Sequence, residues 1–503
     1  MFVRKKKNKS GVISIQVIDK SSGKYKVIKT IGSSNDKQKV ETLFHQGQQW
    51  IKNHSGQIEL DFLDEKQLFS KFIGSIQQIT VVGSEVLLGK IFDQIGFNQI
   101  QDELFRQLVI ARLCFPLSKL KTTDYLQKYH SVGVNEDKVY RYLDKLYNTQ
   151  KETVQQISYQ HTSKVLNTEI SIVFYDVTTL YFEIDHEDDL RETGFSKEGK
   201  HQNPQIVLGL LVSVDGYPLA YEIFEGNKFE GHTMLPVVDT FKSKYNLENL
   251  VIIADSGLLS NDNINALQNK EYEFILGARI KNEKQTIKDK ILGSNLSNGE
   301  SKVIIKDEST KLVISYSQNR AKKDKTNREK GLRKLEKRII SGKLTKANIN
   351  NRGYNKYLKL EGDINISIDK AKFEADGKWD GLKGYLTNTN LSKDEIISNY
   401  NHLWKIEKAF RISKTDLKIR PIFHRLKRRI EAHICIAFVA YKVYKELERQ
   451  LKEKKSDLSP EKAIEIAKSI YALKLVTPIN KETIKQTLIL NDEQSNLAKL
   501  FNF

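Results

Sequence analysis

Apolar and polar residues alternate in "GVISIQVIDKSSGKYKVIKT" (11–30) on both sides of a Ser-Ser-Gly turn, and this pattern predicts a β-hairpin. A helix over about 36–53 follows. From about 84 to 158 the apolar period lengthens to i, i+3, i+4, as in "LFRQLVIARL" and "VNEDKVYRYLDKLY", with "FPLS" and "SVGVN" as breaks, so this region is expected to be all-helical. At about 170 the pattern turns to strands: "ISIVFYDVTTLYFEI", "PQIVLGLLVSV" and "YPLAYEIFE", the last two joined by the hairpin signal Asp215-Gly216. A helix (233–245), the buried-strand run "LVIIAD" (250–255), a helix after Ser260 and the strand "YEFILGARI" (272–280) come next.

Regularity lapses between about 283 and 385. Short strand-like pieces, "KVIIKD", "KLVISYS", "DINISI" and "AKFEA", surround "NRAKKDKTNREKGLRKLEKRIISGKLTK" (319–346), which carries 12 Lys/Arg against 3 acids. The expectation is a β-rich insertion with one very basic arm. Ser392-Lys-Asp-Glu395 then has the form of a capping box opening a helix that runs to about Lys414 and stops before Pro421. Further helices are expected over 424–450 and 459–500.

Charge changes the picture. The 503 residues hold 82 Lys/Arg against 63 Asp/Glu, a net charge of +19, which points to a polyanionic partner, nucleic acid being the commonest. Asn135 is placed to cap a recognition-type helix carrying Lys138, Arg141 and Lys145, although an amphipathic helix with a solvated basic face reads equally well. Cys114 and Cys435, the two cysteines, sit in apolar helical patterns and offer no disulfide framework, so a reducing cytoplasm is expected. The longest apolar run, "ICIAFVAY" (434–441), is too short to span a bilayer, and no membrane association is expected. The ten histidines are scattered without metal-ligand spacing, and no phosphate-binding glycine loop occurs.

Carboxylates are the better candidates for chemistry. Asp176 follows "ISIVFY" and Asp255 follows "LVIIA", and a charge directly after an apolar strand is costly unless something compensates it. A divalent cation would do so; a turn or N-cap aspartate ending each strand is the plainer alternative. Asp176 resists that alternative because "VTTLYFE" continues the strand beyond it. Glu407 is the third acid. Tyr400, Glu407 and Lys414 are spaced seven and seven apart, which on one α-helix places them on one face. An exposed pair with Arg411 is the competing account of Glu407. Three carboxylates converging from two strands and a helix can hold two hard cations about 3.5–4 Å apart, as in-line phosphoryl transfer requires.

The stretch from Tyr400 through Leu403 and Glu407 to Lys414 resembles the Tyr-x2-Arg-x3-Glu-x6-Lys signature of DDE transposases of bacterial insertion sequences, the insertion-sequence-four-like group. "FYDVTTLYFE", "FEGN" (224–227) and "IIADSGLLS" look like that family's first-aspartate strand, its glycine-asparagine segment and its second-aspartate strand. Leu403 stands where the signature has arginine, so the phosphate contact of that arginine is expected from Arg411 or Lys405. The resemblance covers about 170 to 445. It implies an α/β, ribonuclease H-like mixed sheet flanked by helices and interrupted by the insertion, with a helical N-terminal domain and a helical C-terminus.

The domain expectation is a hairpin and helix (1–80), a helical DNA-binding domain (81–165), a catalytic core in two parts (166–282 and 389–450), the basic insertion (283–388) and a C-terminal helical region (451–503). By the same resemblance Asp176, Asp255 and Glu407 are the catalytic metal ligands for two Mg²⁺ or Mn²⁺ ions. Tyr400, Lys405, Arg411, Lys414 and Arg420, together with Lys138 and Arg141, are the expected DNA contacts. Trp379, in "DGKWDG", either stacks on a displaced base or packs in its subdomain. The implied partners are double-stranded DNA, both terminal inverted repeats and target, and a second copy of the chain in the DNA complex. The implied activity is cut-and-paste transposition in the cytoplasm at the nucleoid. An inactive DNA-binding derivative and a nuclease or resolvase that cuts without joining are the competitors.

Overall fold

The computed structural model describes every residue except 55–64, 131, 168, 185, 197–198, 362–364 and 478–480; the first residue of "SVGVN" and the first two of "DINISI" lie outside the described residues. The chain forms two compact units, Met1–Gln78 with Lys474–Ile484, and Ile79–Leu473 with Lys485–Phe503.

In the first unit the predicted hairpin is β2 (Ile13–Asp19) and β3 (Lys26–Ser34), and a further strand, β1 (Phe2–Lys7), pairs antiparallel with β2. The run "FVRKKK" hides that strand because its lysines break the alternation, and lysines are what an exposed sheet edge tolerates. Helices α1 (Lys37–His54) and α2 (Glu65–Gly74) follow, and strand β4 (Ile76–Val81) runs across the boundary at Gln78.

The second unit opens with α3 (Lys90–Ile95), α4 (Glu103–Cys114), α5 (Lys119–His130), α6 (Glu136–Thr149) and α7 (Lys151–Leu166). Asp102 caps α4 and Asn135 caps α6, each side chain accepting from a backbone N–H of the first turn. The strands are β5 (Ile172–Tyr181), β6 (Gln205–Ser213), β7 (Pro218–Glu225), β8 (Val251–Ala254) and β9 (Glu273–Ala278), with α8 (Met234–Tyr245) and α9 (Asn261–Asn269) before and after β8. β5, β6 and β7 are successively antiparallel, whereas β5, β8 and β9 are mutually parallel. Helix α8 and α9 residues, such as Val238, Phe241 and Leu267, pack on one face of the sheet.

Beyond β9 the structure departs from the expected insertion. After α10 (Gln285–Leu292), strands β10 (Ser301–Ile305) and β11 (Lys311–Tyr316) do not form a separate unit. Together with a later strand they extend the central sheet to eight strands, in the order β10-β11-β14-β9-β8-β5-β6-β7. The basic stretch is a helix, α11 (Gln318–Ile340), capped by Ser317, because lysine, arginine, glutamate and leucine are good helix formers. A two-stranded ribbon, β12 (Leu358–Glu361) and β13 (Asn365–Ile368), follows. "AKFEA" lies within a helix, α12 (Lys370–Gly377), where Asp369 caps the first turn; five alternating residues are too few to separate strand from helix. β14 (Leu382–Thr387) then returns beside β9. The excursion between β11 and β14 is thus mainly helical and closes on its own small core of Leu335, Tyr357 and Leu358.

The capping box of Ser392 and Glu395 is present, but the expected single helix is two, α13 (Lys393–Asn401) and α14 (Trp404–Thr415). Leu403 turns into the core at the break, 7 % exposed. The next helix, α15 (Lys427–Glu453), is buried almost all round, and α4, α6 and α7 pack against it, in one continuous core with the sheet. The C-terminal expectation of helices alone is corrected. Between α16 (Pro460–Ala467) and α17 (Asp492–Phe501) lie strands β15 (Tyr471–Val476) and β16 (Thr483–Leu488), whose "YALKLV" and "TIKQTL" alternate. Among the described residues no helix is long and apolar enough to cross a membrane.

Candidate active site

The parallel pairing of β5 with β8 sets Tyr175 opposite Ala254, and the next position in that register brings Asp176 beside Asp255. Phe174 and Ile253, two residues earlier on each strand, face the core shared with α13, α14 and α15, so both aspartates belong to that same face of the sheet. Ile406, Ala409 and Phe410 of α14 pack into this core, and Glu407 stands in the first turn of α14, where the helix dipole favours a carboxylate, within electrostatic reach of Lys383 and Tyr400.

Asp176 is half-buried, and its Oδ1 accepts from the Val177 N–H at 2.8 Å. Asp255 is exposed; its Oδ1 accepts from the Ser256 N–H at 2.7 Å, capping the short turn Ser256–Leu258, and from the Tyr400 hydroxyl at 3.3 Å. The turn reading of Asp255 and the site reading therefore describe one residue. Burial, then the charge of Asp255, pushes the Tyr400 phenol well above its ordinary range, so it remains a donor. Gly277 on β9 makes room for it: a Cβ there would lie 2.3 Å from the Tyr400 hydroxyl.

Lys383 on β14 was not anticipated from the sequence. Its Nζ lies 4.4 Å from the centre of the Tyr400 ring. Burial and Arg320 lower its pKa, while Asp255 and Glu407 act to raise it, so this ammonium feels both carboxylates. The only local signal was its position two before Tyr385 on an alternating strand.

The other expected residues separate. Tyr400 is buried and orients Asp255. Lys405 is occupied elsewhere: its Nζ donates to the Val214 carbonyl at 2.6 Å and lies 3.6 Å from Asp215, tying α14 to the β6–β7 turn. Arg411, Lys138 and Arg141 are exposed, and Lys414 is half-buried. Arg420 is half-buried with its guanidinium 5.7 Å from the centre of the Tyr181 ring. Trp379 packs, half-buried, on the cluster of Ile280, Leu312 and Ile314. It also lines a cleft of about 510 Å³ that reaches Ser256 and Lys383 and carries Arg279, Lys281 and Arg320.

Trp404, at the start of α14, is 53 % exposed. Among the described residues no group of three or more His, Cys, Asp and Glu is arranged to hold a metal ion, although Asp255 and Glu407 both act on Lys383 and on Tyr400. Glu407 is on the exposed side of α14 because Ile406 and Phe410 take the buried side. The paired aspartate oxygens suit a hard divalent cation in their chemistry.

Residues 167–442, more than half of the chain, match the family described as the transposase DDE domain, and the chain belongs to that family. Two solved structures are similar to it. The piggyBac transposase synaptic complex with hairpin DNA has 10% identity and a TM-score of 0.38, over 77% of this chain and 78% of that one. The Mos1 transposase paired-end complex with left transposon end has 12% identity and a TM-score of 0.16, over 36% and 57%. No curated protein matches the chain.

Proposed function

We propose that the chain is a DNA transposase that binds the terminal inverted repeats of an insertion sequence and catalyses strand cleavage and strand transfer in cut-and-paste transposition. The observation that carries this reading is the in-register pair Asp176 and Asp255, with Glu407 acting on the same lysine, Lys383, as Asp255, inside the segment that matches the family. The order β7-β6-β5-β8-β9, with β5, β8 and β9 parallel, supports a ribonuclease H-like core.

In this reading Asp176, Asp255 and Glu407 hold Mg²⁺ or Mn²⁺, two ions when loaded, which supply charge neutralisation and an activated oxygen nucleophile for phosphoryl transfer. Tyr400 and Lys383 keep Asp255 oriented. Arg411, Lys414 and Arg420 grip the DNA backbone on the same side, Lys138 and Arg141 bind it from α6, and a second copy completes the DNA complex. Leu403 leaves Arg411 as the cation that replaces the signature arginine, since Lys405 is engaged at Val214.

Incubating the protein with a labelled inverted-repeat end and Mg²⁺ tests the reading. Glu407→Gln, at an exposed position that leaves the fold intact, is expected to lower cleavage by about 100-fold or more, beyond what removing a residue that only supports a metal ligand costs. Unchanged cleavage sinks the assignment. The competing reading is a DNA-binding derivative without activity. Binding of the repeat with no cleavage under any divalent metal would establish it.

A further inference from the structure

Away from the carboxylates, a cavity of about 280 Å³ lies between the start of α5, α6 and the loop that follows α14. Of the four cations in its lining, Arg112, Lys119, Lys418 and Arg420, the first two are buried. Arg112 and Lys119 are each 5 % exposed. Among the described residues Arg112 meets neutral acceptors only, the carbonyl oxygens of Leu417 and Lys418 at 3.5 Å and His433 Nδ1 at 3.4 Å. Neither cation has a carboxylate partner among the described residues.

The histidines add no negative charge. His433 places Nε2 at 2.9 Å from the Ile419 carbonyl, which fixes the neutral tautomer with Nδ1 turned to Arg112. Burial, then Lys119 and Arg112, pushes His424 down to about 3. The one acid in the lining, Glu136, bonds Tyr140, and the nearby Asp144 is held by Arg428 and Arg429. Lys418 and the exposed ring of Phe423 stand in the wall.

Burying two like charges without a counter-charge is among the most costly arrangements a protein can hold. An anion of matching shape removes that cost. Arginine supplies a planar fork and lysine a compact point charge, which together suit a tetrahedral oxyanion.

We propose that this cavity is a phosphate-binding site, with Arg112 and Lys119 as its ligands. Its chemistry stands apart from the transposase reading, which bears only on the source: a phosphate of bound DNA or free phosphate. The loop that closes the site leaves the end of α14, the helix of Glu407, so an occupied cavity braces the exit of that helix.

The test uses the full chain and measures melting with inorganic phosphate against chloride at equal ionic strength, together with affinity for duplex DNA by anisotropy. Wild type is expected to melt several degrees higher in phosphate. Lys119→Met, which removes the buried charge at similar volume, is expected to melt higher than wild type in chloride and to lose the phosphate shift, whereas Lys119→Arg keeps it. A roughly tenfold loss of DNA affinity in Lys119→Met assigns the site to a DNA phosphate; equal affinity with loss of the shift assigns it to free phosphate. An equal phosphate shift in wild type and Lys119→Met overturns the proposal, as does the absence of any shift combined with equal DNA affinity. None of these readouts requires cleavage, so failure of the transposase assignment leaves the result interpretable.

Discussion

Tyr400 shows how closely the site is fitted. Its hydroxyl reaches Asp255 only because Gly277 has no Cβ. Gly277→Ala is therefore expected to cost about 1–3 kcal/mol, as overpacking does. Tyr400→Phe loses one hydrogen bond, worth about 1 kcal/mol, and also the oxygen that the new methyl strikes. In urea denaturation the double variant should be less destabilised than the sum of the two singles; strict additivity would show that the two residues do not touch. Leu403 makes the opposite case. It resembles a gap in the signature, yet it is buried in the core between α13 and α14. Restoring arginine there is expected to destabilise the protein by on the order of 3 kcal/mol, since the charge gains no partner. A melting temperature equal to wild type would argue that position 403 can open to solvent.

Helix α15 is held to its neighbours by two charge clusters. Asp144 on α6 accepts from both Arg428 and Arg429, and hydrogen bonding from Arg429 above all depresses its carboxyl to about 2. Glu448 is pushed up by its burial, but Lys445 and Lys408 outweigh that and hold it at about 2. Both folded-state values lie below the ordinary 3.8 and 4.5. The stability these groups contribute is therefore fully present above about pH 4.5 and is lost as pH falls toward about 2. The urea midpoint should fall across that window, and Asp144→Asn should flatten the fall. An identical pH profile in the variant would remove Asp144 from the account.

The excess of 19 positive charges spans the whole molecule, but α11 concentrates it. Arg328 is tied to Asp380 at 2.6 Å, and Leu335 faces the local core, while Lys322, Lys325, Lys330 and Lys334 are exposed. If α11 lies along DNA, changing these four to glutamine should reduce the slope of log affinity against log salt by about 0.9 for each phosphate that is no longer neutralised. An unchanged slope would place the DNA elsewhere on the surface.

Much of the architecture was legible because periodicity is local. The strands at 170–225, the alternation of helices and strands to 280, the caps at Asn135, Ser260 and Ser392, and the isolation of Asp176 and Asp255 in apolar runs all follow from near neighbours in the chain. Sheet membership is not local. Nothing in "KVIIKD", "KLVISYS" or "LKGYLT" says whether these strands form their own unit or complete the edge beside β9, because an alternating pattern specifies a buried face and not a partner. For the same reason Lys383 and the buried pair Arg112 and Lys119 could be recognised only once distant segments were brought together. A heptad places Tyr400 and Glu407 on one face only while the helix is unbroken, and the turn of Leu403 into the core ended that inference. Sequence supplied the acids and the charge of this protein; packing decided which of them meet.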